Sequence, residues 1–308
     1  MDNKITNIEL NFSNICTARC YCCSNHRGKK NIPLMADDIF KKVLEQLKEI
    51  QFDRIHTSGC GEGLVNINYP FYLRDLRKEF PKAIIDYYSN FSLMIPSVSN
   101  YIIKKKLLNE MHISIDGVER WVFEKATGLE YDTVFKNIDY FLKNNDCIEV
   151  FINYRNPRKY YERCRDILNR EPLFKRYVGD DVNNLKNEYN EIQARFNSVS
   201  KMKITYSNTA FSLWGERDDC EPDFEKKHPC PKLNVIKNTI WIDPDGSVRM
   251  CPYQEEQGGR LVYGNIKENT LLELWNGKRR QTELAKIERC EYNGRYPCTN
   301  PLLCCQEI

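Results

Sequence analysis

No stretch of the 308-residue chain approaches the run of about 18 apolar residues that a membrane span needs. The opening MDNKITNIELNF interrupts, with charged and polar residues, the apolar segment of a signal peptide, so a cytoplasmic location is expected. Tracts rich in Pro, Gly or Ser are missing, which excludes collagen-like and disordered classes. Charge of one sign is also in short supply. The 46 Lys and Arg against 43 Asp and Glu leave +3 spread along the chain, and with no base-stacking aromatic motif nucleic acid is not the expected partner. Histidine is scarce: His26, His56, His112 and His228 are scattered, and His56 and His112 sit in strand patterns that suit a satisfied core role better than catalysis.

Cysteine is what abounds. A reducing cytoplasm does not maintain structural disulfides, so fourteen cysteines point to metal or redox chemistry. Cys16, Cys20, Cys22 and Cys23 crowd the N-terminus, and Cys220, Cys230, Cys251, Cys290, Cys298, Cys304 and Cys305 occupy the final third. Cys60, Cys147 and Cys164 stand alone and read as small buried hydrophobes.

Residues 8–12 alternate, with Ile8, Leu10 and Phe12 on one face, and lead into the first cysteine loop, which therefore lies beyond the carboxyl end of a strand. Asp37 or Asp38 can cap a helix whose Ile39, Phe40, Val43, Leu44, Leu47 and Ile50 share a face. A second unit has a strand near 54–57, a Gly-rich loop, and a helix using Phe71, Leu73, Leu76 and Phe80 that stops at Pro81. Strands follow at 83–88, 112–115, 148–154 and 203–206, with a helix over 131–143 between the second and third of these. The polar stretch 180–200 reads as a solvent-facing helix. This alternation gives an α/β fold with a parallel sheet and right-handed crossovers, an open doubly wound sheet or a complete or partial barrel, binding ligands at the carboxyl ends of its strands. Near residue 216 the chain changes to acidic, cysteine-rich loops around a hairpin, 239–242 and 247–250 flanking the turn Asp243-Pro244-Asp245-Gly246. The expected domains are 1–216 and 217–308.

CTARCYCC places Cys16, Cys20 and Cys23 at C-x3-C-x2-C spacing. A compact loop of this kind can present three thiolates to one cubane and leave the fourth iron open as a chemical site. Zinc is the rival metal, but a structural zinc site takes four ligands, usually from two separated pairs, and no matching pair follows nearby. Cys22 reads as a neighbour, since adjacent residues rarely point both side chains at one metal.

On this loop the sequence resembles the radical S-adenosylmethionine (SAM) superfamily, and the resemblance covers nearly the whole chain. It implies a partial (β/α)6 barrel in which a [4Fe-4S] cluster on Cys16, Cys20 and Cys23 binds SAM at its open iron and cleaves it reductively to a 5′-deoxyadenosyl radical. Ser58-Gly59-Cys60-Gly61-Glu62 looks like the family's glycine-glycine-glutamate segment, whose backbone receives the SAM amino group, with Gly63 where proline usually follows. Ser89-Asn90 resembles the family's Thr-Asn-Gly, with Phe91 replacing glycine, and Ser114-Ile115-Asp116-Gly117 resembles its Ser-Leu-Asp-Gly. The resemblance thus assigns Gly59, Cys60, Gly61, Glu62, Asn90, Ser114 and Asp116 to the cofactor site. Thr127 stands where the family often has an arginine on the SAM carboxylate, and Lys125 is the candidate substitute.

Cys230, fifteen residues, Gly246, four residues and Cys251 resemble the opening of the SPASM and twitch extensions, which carry auxiliary iron-sulfur clusters; Gly264-Asn265-Ile266 and LLELWNG resemble them as well. The DPDG turn reverses the chain and brings both cysteines towards one metal. Cys290, Cys298, Cys304 and Cys305 complete the candidate ligands, keeping only the C-x5-C step of the longer SPASM pattern. One auxiliary [4Fe-4S] cluster is expected, with two clusters, or one zinc on Cys230, Cys251 and two later cysteines, as alternatives. The resemblance implies hydrogen abstraction from a substrate in the barrel mouth, and an electron donor such as flavodoxin or ferredoxin. The first reading of the substrate is a small polar molecule, a sugar, cyclitol or amino acid derivative, that is oxidised. Peptide modification and redox-neutral epimerisation or decarboxylation are the enzymatic alternatives. The cluster motif begins at Cys16, which leaves no N-terminal leader-binding domain in the expected layout. A non-catalytic iron-sulfur carrier is the reading from another class, and would not need the loops at 59–62 and 114–117.

Overall fold

The computed structural model describes residues 4–20, 34–155, 182–207, 233–250 and 262–289. Six strands run parallel in sequential order: β1 (Asn7–Leu10), β2 (Arg54–His56), β3 (Ile84–Ser89), β4 (Glu110–Asp116), β5 (Glu149–Arg155) and β6 (Ile204–Ser207). Helices α1 (Asp37–Leu47), α2 (Tyr69–Glu79), α3 (Pro96–Lys104), α4 (Arg120–Thr127) and α5 (Tyr131–Asn144) connect the first five. This is the parallel α/β sheet that the alternation implied, in the strand order of the partial (β/α)6 barrel that the resemblance implied. Burial alternates along β1 and β2, and Ile8, Ile55, Ile85, Ile113 and Ile152 are fully buried on the side that packs with the helices. The opposite side, lining the barrel, is polar and partly accessible.

Several helical expectations are corrected. Ala36, not an aspartate, is the N-cap of α1. Asp37 instead accepts hydrogen bonds from Tyr72 Oη at 2.5 Å and Asn68 Nδ2 at 3.0 Å, while its charge in the first turn still favours the helix dipole. On α2, Phe71 is 48% exposed, and Tyr72 takes the inward position, stacked on Phe40 with ring centroids 4.1 Å apart. The helix Val182–Val199 is not wholly solvent-facing, because Ile192 and Phe196, one turn apart, are buried, and Phe196 stacks on Phe135 of α5. Cys60 and Cys147 are half-buried rather than buried; Cys164 and Cys220 lie outside the described residues.

The C-terminal hairpin, β7 (Thr239–Ile242) and β8 (Ser247–Arg249), joins the same sheet. β7 pairs in parallel with β1 from Asn7↔Thr239 to Leu10↔Ile242, so β1 lies between β2 and β7. β9 (Val262–Asn265) follows antiparallel to β8, making nine strands among the described residues. The helix Leu271–Asn276 opens with a Thr270/Glu273 capping box, and in the next helix Arg280 lies buried with its guanidinium 3.3 Å from the centroid of the Trp275 ring. No described helix is long and apolar enough to cross a membrane.

Candidate active site

The loop after β1 folds on itself through Ser13, whose hydroxyl accepts from the Ile15 N–H at 3.0 Å and donates to the Ile15 carbonyl at 2.9 Å. Cys16 and Cys20 follow, both half-buried. Asn90 Nδ2 donates to Cys16 Sγ at 3.5 Å, and Cys20 Sγ lies 3.9 Å from an Asp116 carboxylate oxygen, so the ends of β3 and β4 meet the two thiols. The Arg19 N–H donates to the Thr127 carbonyl at 2.6 Å, tying the loop to the end of α4. Cys22, Cys23, Cys230, Cys251, Cys290, Cys298, Cys304 and Cys305 lie outside the described residues.

The loop after β2 presses against the cysteine loop. A Cβ at Gly61 would run into the Ser13 and Ile15 carbonyl oxygens, one at Gly59 would run into the Asn11 side chain, and the Glu62 N–H donates to the Ile15 carbonyl at 2.9 Å. Gly61→Ala is therefore expected to cost about 1–3 kcal/mol in denaturant unfolding, because the obstacle is backbone and cannot rotate away. Wild-type stability in that variant would refute the close approach.

The Glu62 side chain turns away from the loop. Its buried carboxylate accepts from Tyr87 Oη, from Ser89 Oγ at 3.2 Å and from the Asn90 N–H at 2.9 Å. Burial pushes its pKa up to about 7 against the lowering effect of these donors. Glu62 is thus a brace between the β2 loop and the end of β3. Phe91 has a φ of 62°, a conformation that glycine adopts freely and a bulky residue only at a cost. Its ring is fully buried, edge-on to Phe141, and its carbonyl accepts from Asn137 Nδ2 at 2.9 Å, which holds the strained turn. Gly117 has a φ of 90°. Ser114 and Asp116 share the lumen side of β4, half-buried and buried respectively. Lys125 is exposed on α4; the Thr127 hydroxyl is committed to the Phe123 carbonyl at 2.7 Å and the Leu129 N–H at 3.1 Å.

Residues 230–300 match the SPASM family, an iron-sulfur cluster-binding domain. No curated protein matches the chain in sequence. Among solved structures the chain is similar to BtrN in complex with AdoMet and 2-DOIA, at 14% identity and a TM-score of 0.55 over 97% of this chain and 94% of that one. It is similar to anSMEcpe with bound AdoMet and Cp18Cys peptide, at 14% identity and 0.58 over 91% and 82%. It is also similar to Streptococcus suis SuiB bound to S-adenosylmethionine, at 15% identity and 0.58 over 98% and 72%. The chain has the radical SAM fold with a SPASM domain.

Below the mouth of this radical SAM barrel lies a row of ionisable groups that sequence reasoning missed. Register aligns Glu9 with His56, His56 with Asp86, and Asp86 with Glu110 across four strands. His56 Nδ1 is 2.9 Å from one Asp86 oxygen, and Arg54 donates to Asp86 at 2.6 Å and to Glu110 at 2.7 and 2.8 Å. Asp86, Glu110 and His112 have metal-ligand spacing, but the Arg54 guanidinium already supplies the positive charge between the two carboxylates. Burial pushes Glu9 up to about 8. Burial also pulls His56 down, and the Asp86 hydrogen bond with the Glu9 charge outweighs it, so His56 moves up; burial lowers His112. His112 is sandwiched between Tyr88 and Phe151 at 4.0 and 4.6 Å. His56 and His112 are hydrogen-bonded, as expected; His26 and His228 lie outside the described residues. The missed signal was a charge in each apolar strand, Glu9 in NIEL and Asp86 in IIDYYS.

Proposed function

We propose that this chain is a radical SAM enzyme that oxidises a small polar molecule, with residues 1–216 as the barrel and 217–308 as the auxiliary iron-sulfur domain. The observation that carries the reading is the convergence of Cys16, Cys20, Asn90 and Asp116 at the carboxyl end of the parallel strands, beside a loop whose glycines leave its backbone bare. The donor set fits a [4Fe-4S] cluster on Cys16, Cys20 and Cys23, and the bare loop fits SAM along Gly59 to Glu62. Such a cluster would supply the electron for reductive cleavage of SAM to methionine and a 5′-deoxyadenosyl radical.

The chain's own residues do the rest. Asn90 donates an N–H toward the Cys16 sulfur and so favours its thiolate. Glu62 fixes the loop that receives the SAM amino group, with Ser114 and Asp116 on the facing strand. Beneath them, the half-buried Glu9 and His56 offer hydrogen bonds to a hydroxyl or amine, and Tyr88, His112 and Phe151 form a flat wall. This polar lining supports a small polar substrate, as does the similarity to BtrN, whose complex with 2-DOIA matches over nearly the full length of both chains. A peptide substrate is the second reading, favoured by the peptide-bound anSMEcpe structure. The electron would come from a flavodoxin or ferredoxin.

Metal content tests the cluster count. Anaerobically reconstituted protein is expected to hold about eight irons per chain, and the Cys16, Cys20, Cys23 triple alanine variant about four; about twelve in the wild type would mean two auxiliary clusters. Zinc retained by the triple variant, with no iron absorption, would make the C-terminal site a zinc ribbon. Once a substrate is in hand, and with SAM at saturation, Cys251→Ala should still release 5′-deoxyadenosine while forming little oxidised product, since Cys251 serves the electron acceptor. A peptide product with a new thioether or carbon-carbon bond would replace this reading by the second one.

A further inference from the structure

The C-terminal hairpin sends one charged side chain into the barrel mouth. Arg249 on β8 is in register with Trp241 of β7, which is in register with Glu9 of β1. The residue is 7% exposed. Its Nη2 donates to Asp243 Oδ1 at 2.5 Å and to Cys60 Sγ at 3.6 Å, and its Nε–H has no hydrogen-bond partner among the described residues. Asp243, in the hairpin turn, also accepts from Asn11 Nδ2 at 3.4 Å. The Asn11 side chain in turn fills the space over Gly59 and accepts from the Ser13 N–H at 3.3 Å. A closed circuit therefore runs from Gly59 through Asn11, Asp243 and Arg249 to Cys60. It starts and ends in the loop after β2.

A buried ion pair contributes little net stability, because desolvation offsets the attraction, and here one N–H of the guanidinium is left over. Stability therefore does not explain an arginine at this place. What a guanidinium does supply is direction: it is rigid and planar, and it fixes the single nitrogen, Nη2, that donates to both partners, where a lysine ammonium would end a flexible stem. Both partners bear on the loop, Cys60 by belonging to it and Asp243 through Asn11. Cys60 gives the otherwise bare glycine loop a side chain that the hairpin can hold.

We propose that Arg249 is a positioning residue through which the C-terminal iron-sulfur domain sets the SAM-receiving loop, acting on Cys60. The inference rests on the assignment of that loop to SAM under the proposed function. Arg249 is two residues from the candidate cluster ligand Cys251, so a rearrangement of the C-terminal site reaches the SAM loop along one side chain. By linkage, SAM binding acts back on that site with the same coupling.

The test is equilibrium binding of SAM to the anaerobically reconstituted full chain, with iron per chain measured alongside. Arg249→Leu and Cys60→Ala are each expected to weaken SAM binding about tenfold at unchanged iron content, and the double variant to bind no worse than either single one. Arg249→Lys should recover only part of the affinity. Wild-type affinity in both single variants overturns the inference, and so do fully additive losses, which would mean that Arg249 does not act through Cys60. If Arg249→Leu folds poorly, Cys60→Ala decides alone, and unchanged affinity overturns the proposal. Wild-type protein that binds no SAM at all would instead remove the underlying assignment of the loop.

Discussion

Alanine at Cys16, Cys20 or Cys23 is expected to abolish SAM cleavage in the reduced, reconstituted protein, while Cys22→Ala keeps most of it. Three thiolates leave one iron of a cubane open to SAM, and loss of any one removes either the cluster or its geometry. The environment of the two described cysteines is specific: Cys16 receives an Asn90 N–H, and Cys20 faces Asp116 from β4. The measurement is 5′-deoxyadenosine released without substrate. Cleavage lost in Cys22→Ala and retained in Cys23→Ala would reverse the ligand assignment.

Glu62→Ala is the second large effect. It removes the acceptor of the Tyr87 hydroxyl, the Ser89 hydroxyl and the Asn90 N–H together. Each buried donor left without a partner costs about 1–3 kcal/mol, so a loss of about 3 kcal/mol or more in denaturant unfolding is expected, with SAM cleavage lost as the loop comes free. Glu62→Gln separates charge from shape. With a folded pKa near 7 and an ordinary value of 4.5 when unfolded, the folded state holds this proton more tightly. Wild-type stability therefore falls as pH rises from about 4.5 to about 7 and then levels off, and Glu9, pushed up to about 8, adds a fall of the same sign. Between about pH 5 and about pH 8 the Gln variant should lose about 2 kcal/mol less than wild type. Parallel pH profiles would show that Glu62 is ionised throughout.

Much of this was legible in the sequence. The strands announce themselves because large apolar residues recur at alternate positions, as Ile8 and Leu10 in β1, Ile85 and Tyr87 in β3, and Met111, Ile113 and Ile115 in β4, and DPDG allows little but a hairpin turn. Loops such as SGCGE and SIDG could be placed at strand ends because they follow such runs directly. The roles inside them were less visible. Glu62 looks like a ligand-facing residue until β3 brings Tyr87, Ser89 and Asn90 around it, 25–28 residues further on. Likewise Arg54, Asp86 and Glu110 lie in three separate strands, and only the register makes them a network. The exposure of Phe71 was hidden because Tyr72 can fill the same inward space with a ring of similar size.

The placement of β1 between β2 and β7 also orders events in time. Thr6 and Asn238, joined by a backbone hydrogen bond at 2.9 Å, are 232 residues apart. During synthesis at about 5–20 residues per second, one edge of the first strand therefore stays bare for roughly 10–50 s after it leaves the ribosome. A bare parallel edge is a template for wrong pairing, and such a high contact order slows the correct one. The nascent barrel thus keeps an unpaired edge until the hairpin arrives, and a chain cut short before Thr239 leaves that edge open to aggregation.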